Sequence, residues 1–100
     1  MVMKGLSFEW DQNKAESNAR KHGVAFSEAE SVFYDEFARL MSDPDSSYGE
    51  ERFIILGLNS FNNTLVVCHC YRENGEKIRI ISARKATKHE RRKYEEYRYA

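Results

Sequence analysis

The chain has 100 residues, 41% of them hydrophobic, which allows a single domain over residues 1–100 and excludes a two-domain enzyme. The uncharged residues 53–70 contain six Gly, Ser, Thr and Asn residues, which excludes a membrane span. The formal net charge is zero, but residues 1–71 carry 6 basic and 11 acidic side chains, whereas residues 72–100 carry 10 basic and 5 acidic ones. This split predicts a polyanion-binding C-terminal part, an acidic surface for a basic partner, or both.

Two helices are predicted before the first long strand. Asp11 is a suitable N-cap, and the segment up to His22 contains neither Gly nor Pro, so a helix is expected from Asp11 to His22. Ser27 and Glu30 have the spacing of a capping box and predict a short second helix that ends near Tyr34.

Four strands follow, from residues that alternate in polarity or are rich in branched and aromatic side chains. They are residues 37–41, 52–58, 64–71 and 77–83, and a polar loop from Pro44 through Tyr48 and Gly49 separates the first two. Asn74 and Gly75 suit a tight type I′ turn before the last strand. The strands therefore predict an antiparallel meander.

A terminal helix completes the predicted fold. Thr87 and Glu90 form a capping box, and Glu90, Tyr94 and Tyr97 recur at helical spacing in a helix that continues to about Arg98. The expected fold class is α+β, with two N-terminal helices, a four-stranded antiparallel meander and a C-terminal helix.

The cysteines and the N-terminal residues bear on the cellular compartment. Cys68 and Cys70 would project from one face of a strand and His69 from the other, so these three residues cannot share a zinc ion. We expect no metal and no cofactor. The first residues lack the apolar segment of a signal peptide, which favours a cytoplasmic protein with reduced thiols.

Several groups of residues occur in an order and spacing that a known family shares. They are Phe8-Glu9-Trp10-Asp11, Lys14, Asn18, Lys21-His22-Gly23-Val24, Phe26 and Ala29, then Gly49-Glu50-Glu51-Arg52 and Gly57, then Ile78-Arg79-Ile80-Ile81-Ser82-Ala83-Arg84, Ala86, Glu90-Arg91 and Tyr94. On these residues, nearly the whole chain resembles the BrnT toxins of bacterial type II toxin–antitoxin systems.

The resemblance implies a ribonuclease toxin with a small sheet and flanking helices like the RelE-type toxins. Such a toxin cleaves messenger RNA and inhibits growth, and a BrnA-like antitoxin neutralises it in a hetero-oligomer. Operator DNA is contacted only through the antitoxin. The residues themselves leave an alternative open, a non-catalytic nucleic-acid or protein-binding module that acts through its basic C-terminal segment.

Metal-independent RNA cleavage needs a base for the 2′-hydroxyl proton, an acid for the departing 5′-oxygen, and cations for the phosphorane. His22 is the only histidine in the family motif, and an imidazole changes charge between pH 5 and 8. His22 either transfers a proton or caps the first helix beside Gly23. Lys21 either contacts RNA phosphate or is a solvated helix-end lysine.

Glu51 and Arg52 stand where a polar loop enters a strand, so adjacent side chains should point to opposite faces. Arg52 offers a fork of donors for phosphate and is the stronger candidate of the two. Glu51 either acts as a base or pairs with a neighbouring arginine.

The last strand supplies two further candidates. Arg79 alternates with core residues and should emerge on the opposite surface, together with Ile81 and Ala83. Arg84 falls nominally on the other face, near the strand end. The two arginines are either catalytic phosphate clamps or are held in ion pairs with Glu51 and Glu90.

Tyr94 lies one turn after Glu90 on the terminal helix. Tyr94 places its hydroxyl near the arginines, or stacks its ring on an RNA base, or is the core contact of the helix.

Overall fold

The computed structural model describes residues 5–45 and 50–100, so the predicted loop through Tyr48 and Gly49 lies partly outside the described residues. The elements, in chain order, are strand β1 (Ser7–Glu9), helix α1 (Gln12–His22), helix α2 (Phe26–Ala29) continued by a 3₁₀ helix (Glu30–Tyr34), strands β2 (Arg39–Ser42), β3 (Phe53–Leu58), β4 (Thr64–Arg72) and β5 (Lys77–Lys85), and helix α3 (Lys88–Arg98). This order confirms the α+β class. No helix in the described part of the chain is long and apolar enough to cross a membrane.

The strands form one five-stranded sheet in the order β1-β5-β4-β3-β2. Strands β2 to β5 pair antiparallel as expected, but β1 pairs parallel with β5, with Ser7 opposite Lys77. The predicted four-stranded meander is therefore wrong by one strand, and the sheet departs from the RelE-like arrangement that the resemblance implied. A three-residue strand is too short to show a period, and its partner is remote in sequence.

Local sequence signals determine the ends of α1. The Asp11 carboxylate accepts a hydrogen bond from the Lys14 N–H at 3.1 Å, and Gly23 ends the helix with φ 68°. For α2 the predicted capping box is wrong by two residues. The Glu28 carboxylate accepts from the Ala25 N–H at 3.2 Å, so the helix begins at Phe26.

The two predicted β-turn regions are confirmed. Strands β3 and β4 form a hairpin whose last pair is Leu58 with Thr64. Asn74 has φ 59° and ψ 33°, Gly75 has φ 88°, and the Glu76 N–H donates to the Glu73 carbonyl at 3.2 Å. These angles are those of a type I′ turn, whose positive φ at both central residues the Asn-Gly pair tolerates.

The sheet has two unlike faces. The core face is covered by α1, α2 and the 3₁₀ helix, whose Phe26, Val32 and Phe33 pack on Val67 and Ile80. The opposite face, here called the open face, is covered only in part by α3. The principal contact of that helix is buried Tyr94, packed with Leu56 and Val66. Other side chains of the open face, such as Arg79, stay partly exposed.

A β-bulge in β5 changes which side chains reach the open face. The pairing with β4 passes from Ile80 opposite His69 to Ser82 opposite Cys68, so Ile81 is an extra residue. Because of it, Ile80 and Ala83 both lie in the core, although they are three residues apart. The expectation that Ala83 faces away from the core is wrong, because that expectation assumed unbroken alternation along the strand.

Asn18 of α1 closes the outer edge of β5 beyond the end of β1. Its side-chain nitrogen donates to the carbonyls of Ala83 and Val24 at 2.8 and 3.0 Å, and its oxygen accepts from the Ala83 N–H at 3.1 Å. The residue is 7% exposed. Asn18 thus takes the place of a neighbouring strand just after the bulge.

Replacement of Asn18 by Ala is therefore expected to lower the free energy of unfolding by about 3 kcal/mol, because buried backbone groups lose their partners. The measurement is urea unfolding followed by circular dichroism. Asn13→Ala, the same change at an exposed position of the same helix, is the matched control and should be nearly neutral. Equal effects of the two changes would contradict the role given to Asn18.

His69 is a buried imidazole on the core face. Its Nδ1 lies 3.3 Å from the Val67 carbonyl and its Nε2 lies 3.2 Å from the Tyr71 hydroxyl, while the ring packs edge-on against Phe33. A carbonyl only accepts, so Nδ1 donates and Nε2 accepts from Tyr71. Burial lowers the pKa of His69 from its ordinary 6.5 to about 4.

Because the pKa of His69 is lower in the folded chain, the stabilisation is complete above about pH 6.5 and is lost as the pH falls toward 4. We expect the free energy of unfolding to drop by up to about 3 kcal/mol over that range. Urea unfolding at pH 7 and pH 4.5 measures the change. His69→Phe keeps a ring but cannot titrate, so it should flatten this dependence; an equally steep loss in that variant would assign it to other groups.

Candidate functional site

Arg79 projects from β5 onto the open face, as predicted. Its guanidinium Nη1 lies 2.6 Å from Oε2 of Glu9, and both side chains keep 31% of their surface exposed. The pair follows from the parallel pairing of β1 with β5, which places Glu9 directly opposite Arg79. The expected alternative partner, Glu51, is therefore not the carboxylate that Arg79 binds.

Arg84 projects to the same face as Arg79, because the extra residue in β5 inverts the alternation between them. Two guanidinium nitrogens of Arg84 donate to the two oxygens of Glu90, at 2.8 and 3.0 Å. Glu90 also accepts from the Thr87 N–H at 2.8 Å. The hydrogen bond from Arg84 is the main reason that the pKa of Glu90 falls to about 2. The predicted pair with Glu90 is thus present, and it attaches the start of α3 to β5.

Arg52 and Glu51 precede β3 at another part of the sheet. The Arg52 Nε lies 3.4 Å from Glu50 Oε1, and Arg72 Nη2 lies 3.7 Å from the other oxygen of Glu50. Glu51 is exposed and lines a shallow depression that also includes Cys70. Glu50, rather than Glu51, therefore contacts both of these arginines.

Lys21 and His22 end α1 beside the outer edge of β5. Together with Ser17, Ile81 and Ser82, they line a shallow depression next to the bulge. Lys21 is exposed and His22 is half-buried. The depression contains none of the candidate arginines, so the structure does not bring His22 into one cavity with Arg52, Arg79 or Arg84.

Tyr94 is the core contact of α3, which was one of its two expected roles. The residue is 1% exposed; its hydroxyl donates to the Asp35 carboxylate and accepts from Arg98 Nη1 at 2.7 Å. Burial and the hydrogen bond to Asp35 raise the pKa of Tyr94 to about 12. A ring buried to this extent offers no face to an RNA base.

A groove between α3 and the open face brings together residues that the sequence did not single out. Its volume is about 390 Å³. The floor is apolar and the rim is charged; the lining residues are Met41, Ile54, Leu56 and Val66 below and Arg39, Arg84, His89, Glu90 and Lys93 above. Of these nine residues, only Arg84 was a predicted candidate, and Glu90 had been placed as its partner.

Sequence analysis did not identify His89 and Lys93, because neither is among the motif residues that the chain shares with the family. One signal could have found them. They are four residues apart, so a helix that begins after Thr87 places both on one side, next to the stripe of Glu90 and Tyr94. Arg39 could not be found in this way, since only the pairing of β2 with β3 brings it opposite Leu56.

The cysteines do not supply a reactive thiol. Cys68 lies on the open face, where its sulfur is 3.5 Å from the Asp43 carboxylate, and burial together with that carboxylate raises its pKa to about 11. Burial also raises the pKa of Cys70. Both thiols therefore stay protonated near neutral pH. His69 lies on the core face, and in residues 5–45 and 50–100 no group of three or more His, Cys, Asp or Glu residues is arranged to hold a metal ion.

The chain matches a class of small toxins that act on RNA. The model of a family described as the ribonuclease toxin BrnT of type II toxin–antitoxin systems matches residues 10–90. The chain therefore belongs to the BrnT family of ribonuclease toxins, as its motif residues indicated.

A solved structure agrees with this assignment at the level of the fold. The crystal structure of the Brucella abortus ribonuclease toxin BrnT is similar to this chain with a TM-score of 0.63 at 21% sequence identity. The similarity covers 83% of this chain and 99% of the Brucella chain. No curated protein sequence matches the chain.

Proposed function

We propose that the chain is an endoribonuclease that binds messenger RNA on the open face and cuts it by attack of the 2′-hydroxyl, without a metal ion. The observation that carries the proposal is the bulge at Ile81, which places Arg79 and Arg84 on one face of the sheet. Arg84 also lines the groove beside α3. Cleavage in the cell would block translation and inhibit growth.

The arginines fit the charge requirements of that reaction. The phosphorane formed by 2′-hydroxyl attack carries extra negative charge, which fixed guanidinium groups stabilise without a reorganisation step. Arg84 keeps 40% of its side chain exposed and Arg79 keeps 31%, although each is held by a carboxylate. Each guanidinium has five donors, so an ion pair leaves donors for phosphate. Arg52, near Cys68, extends the basic surface on the same face.

We also propose that a BrnA-like antitoxin neutralises the chain in a hetero-oligomer in the cytoplasm, and that operator DNA is contacted through the antitoxin alone. The acidic excess of residues 1–71 supports a basic partner. Apolar side chains of Tyr34, Phe37 and Leu40 are exposed near β2 and offer contact area away from the arginines.

One observation favours a second function. Arg79 and Arg84 are each engaged by an internal carboxylate, as arginines with a purely structural role would be. A non-catalytic module that grips nucleic acid through its basic C-terminal segment fits that arrangement, and it would bind RNA without cutting it.

The proposed mechanism predicts the products of the reaction. Purified protein incubated with RNA in EDTA should cut it and leave 2′,3′-cyclic phosphate or 3′-phosphate ends, because the proposed attack uses the neighbouring 2′-oxygen. Enzymatic end-labelling before and after phosphatase treatment identifies these ends. Loss of cutting in EDTA, or 3′-hydroxyl ends, would refute the mechanism. Binding without cutting would establish the second function.

A further prediction separates the two roles of Arg79. Arg79→Ala should relieve growth inhibition and lower cleavage, while antitoxin binding stays largely intact, because the antitoxin is placed elsewhere. Glu9→Gln is the matched change, since it breaks the same ion pair but keeps the cation. If the pair is merely structural, both variants should lose stability and activity together. If Arg79 binds phosphate, Glu9→Gln should retain activity. Growth inhibition, RNA cleavage and thermal unfolding of the same variants provide the readouts.

A further inference from the structure

We propose that His89 and Lys93 are the pair of side chains that transfer protons during RNA cleavage, and that the groove they line holds the nucleotide whose 2′-hydroxyl attacks. This inference rests on the proposed ribonuclease function and names the groups that perform its chemistry. It also moves the proton-transfer role away from His22, which lies in a different depression.

The position of the pair follows from how α3 is held. Thr87 and Glu90 cap its start, the bidentate Arg84–Glu90 pair fixes it to β5, and the Tyr94 hydroxyl binds Asp35. Glu90 and Tyr94 are one turn apart and face the protein. His89 and Lys93 precede each of them by one residue, so both lie on the adjoining side of the helix, toward β2 and the groove.

The groove has the chemistry of a nucleotide site. Its floor of Met41, Ile54, Leu56 and Val66 offers an apolar surface on which the flat face of a base can lie. Arg39 stands at the β2 side, where its guanidinium also packs 4.9 Å from the centroid of the Tyr97 ring. Arg84 stands at the β5 side. A phosphate next to a base held in the groove would meet cations from both sides.

The charged and titratable groups around His89 come from three elements. Arg39 faces the groove from β2, Arg84 faces it from β5, and Glu90 and Lys93 belong to α3. Strands β3 and β4 contribute only apolar side chains to the lining. The single carboxylate is already bound by Arg84, so the rim attracts a phosphodiester and leaves the imidazole free of an acidic partner in this cavity.

The proposed step balances without a further reactant. Neutral His89 takes the proton of the 2′-hydroxyl as the 2′-oxygen forms a bond to phosphorus. The bond from phosphorus to the 5′-oxygen breaks, and the Lys93 ammonium gives its proton to that oxygen. The products are a 2′,3′-cyclic phosphate and a 5′-hydroxyl. Proton exchange with water then restores the neutral imidazole and the ammonium.

The test compares two histidine variants of the full chain on a short RNA oligomer. His89→Gln keeps a polar side chain but cannot titrate, and it should lower kcat by roughly 10²–10⁴-fold. The Kd of His89→Gln for an uncleavable oligomer with a 2′-deoxy group should change less than about twofold. The loss should appear in kcat, because proton transfer contributes to the chemical step and not to binding. His22→Gln is the rival change and should keep its activity. Thermal unfolding at each pH confirms that the variants are folded.

The pH dependence and a lysine variant give independent readouts. The rate of the unaltered protein should rise with pH as the general base loses its proton, and that rise should be absent in His89→Gln. Lys93→Arg keeps the positive charge, but a guanidinium does not give up its proton, so activity should be lost if Lys93 is the acid. Full activity in Lys93→Arg would overturn that role, because it would show that charge alone suffices.

The outcomes separate this inference from the proposed function. If the unaltered protein cuts RNA and Arg79→Ala impairs it, but His89→Gln is fully active with the same pH profile, only the proton-transfer role of His89 is overturned. Loss of activity in His22→Gln alone would return that role to α1. If the unaltered protein does not cut RNA at all, the proposed function itself has failed.

Discussion

One extra residue in β5 organises the surface of this toxin. Without the bulge at Ile81, Arg84 would lie on the core face and the Arg84–Glu90 pair could not form. Helix α3 would then lose the contact that attaches its start to the sheet, and the groove would lose its β5 side. A bulge also bends its strand and leaves backbone groups without a regular partner. Asn18 binds both backbone groups of Ala83, so α1 supports the strand just past the irregularity.

A second constraint comes from a buried carboxylate at the other end of α3. Asp35 accepts hydrogen bonds from the Leu58 N–H at 2.8 Å and from the Tyr94 hydroxyl, and its own side chain is 6% exposed. Three layers therefore meet there: the 3₁₀ helix that precedes Asp35, strand β3 and helix α3. Gly57 fits closely beside them, because a Cβ atom there would lie 3.0 Å from Val32 and 3.1 Å from the carboxylate, and these neighbours would have to move to accept it. The helix that lines the groove is thus held at both ends by charged or polar contacts, while its middle packs on apolar residues.

Sequence reasoning mostly succeeded where the signal was local, although the capping box of α2 was placed two residues too late. The caps of α1 and α3 and the Asn74-Gly75 turn each depend on residues within four positions of one another, and the structure has all three. It failed where the answer depended on pairing between distant residues. Strand β1 forms only by pairing with β5, whose residues are 70 positions away. No feature of the β5 sequence predicts its bulge. The candidate site shows the same difference between local and distant signals. The motif indicated Arg79 and Arg84 as candidates. Strand pairing alone determines which face Arg84 occupies and that Arg39 lines the groove.

Several contacts that hold β5 and α3 in place join residues synthesised early to residues synthesised late. Glu9 meets Arg79 across 70 positions, Asn18 meets Ala83 across 65, and Asp35 meets Tyr94 across 59. Non-local contacts of this kind form late, because the entropy of closing long loops is lost before they are made. During synthesis the N-terminal residues leave the ribosome first, and they cannot form these contacts until the C-terminal residues follow. A nascent chain consequently has no ordered groove until its final helix has left the ribosome.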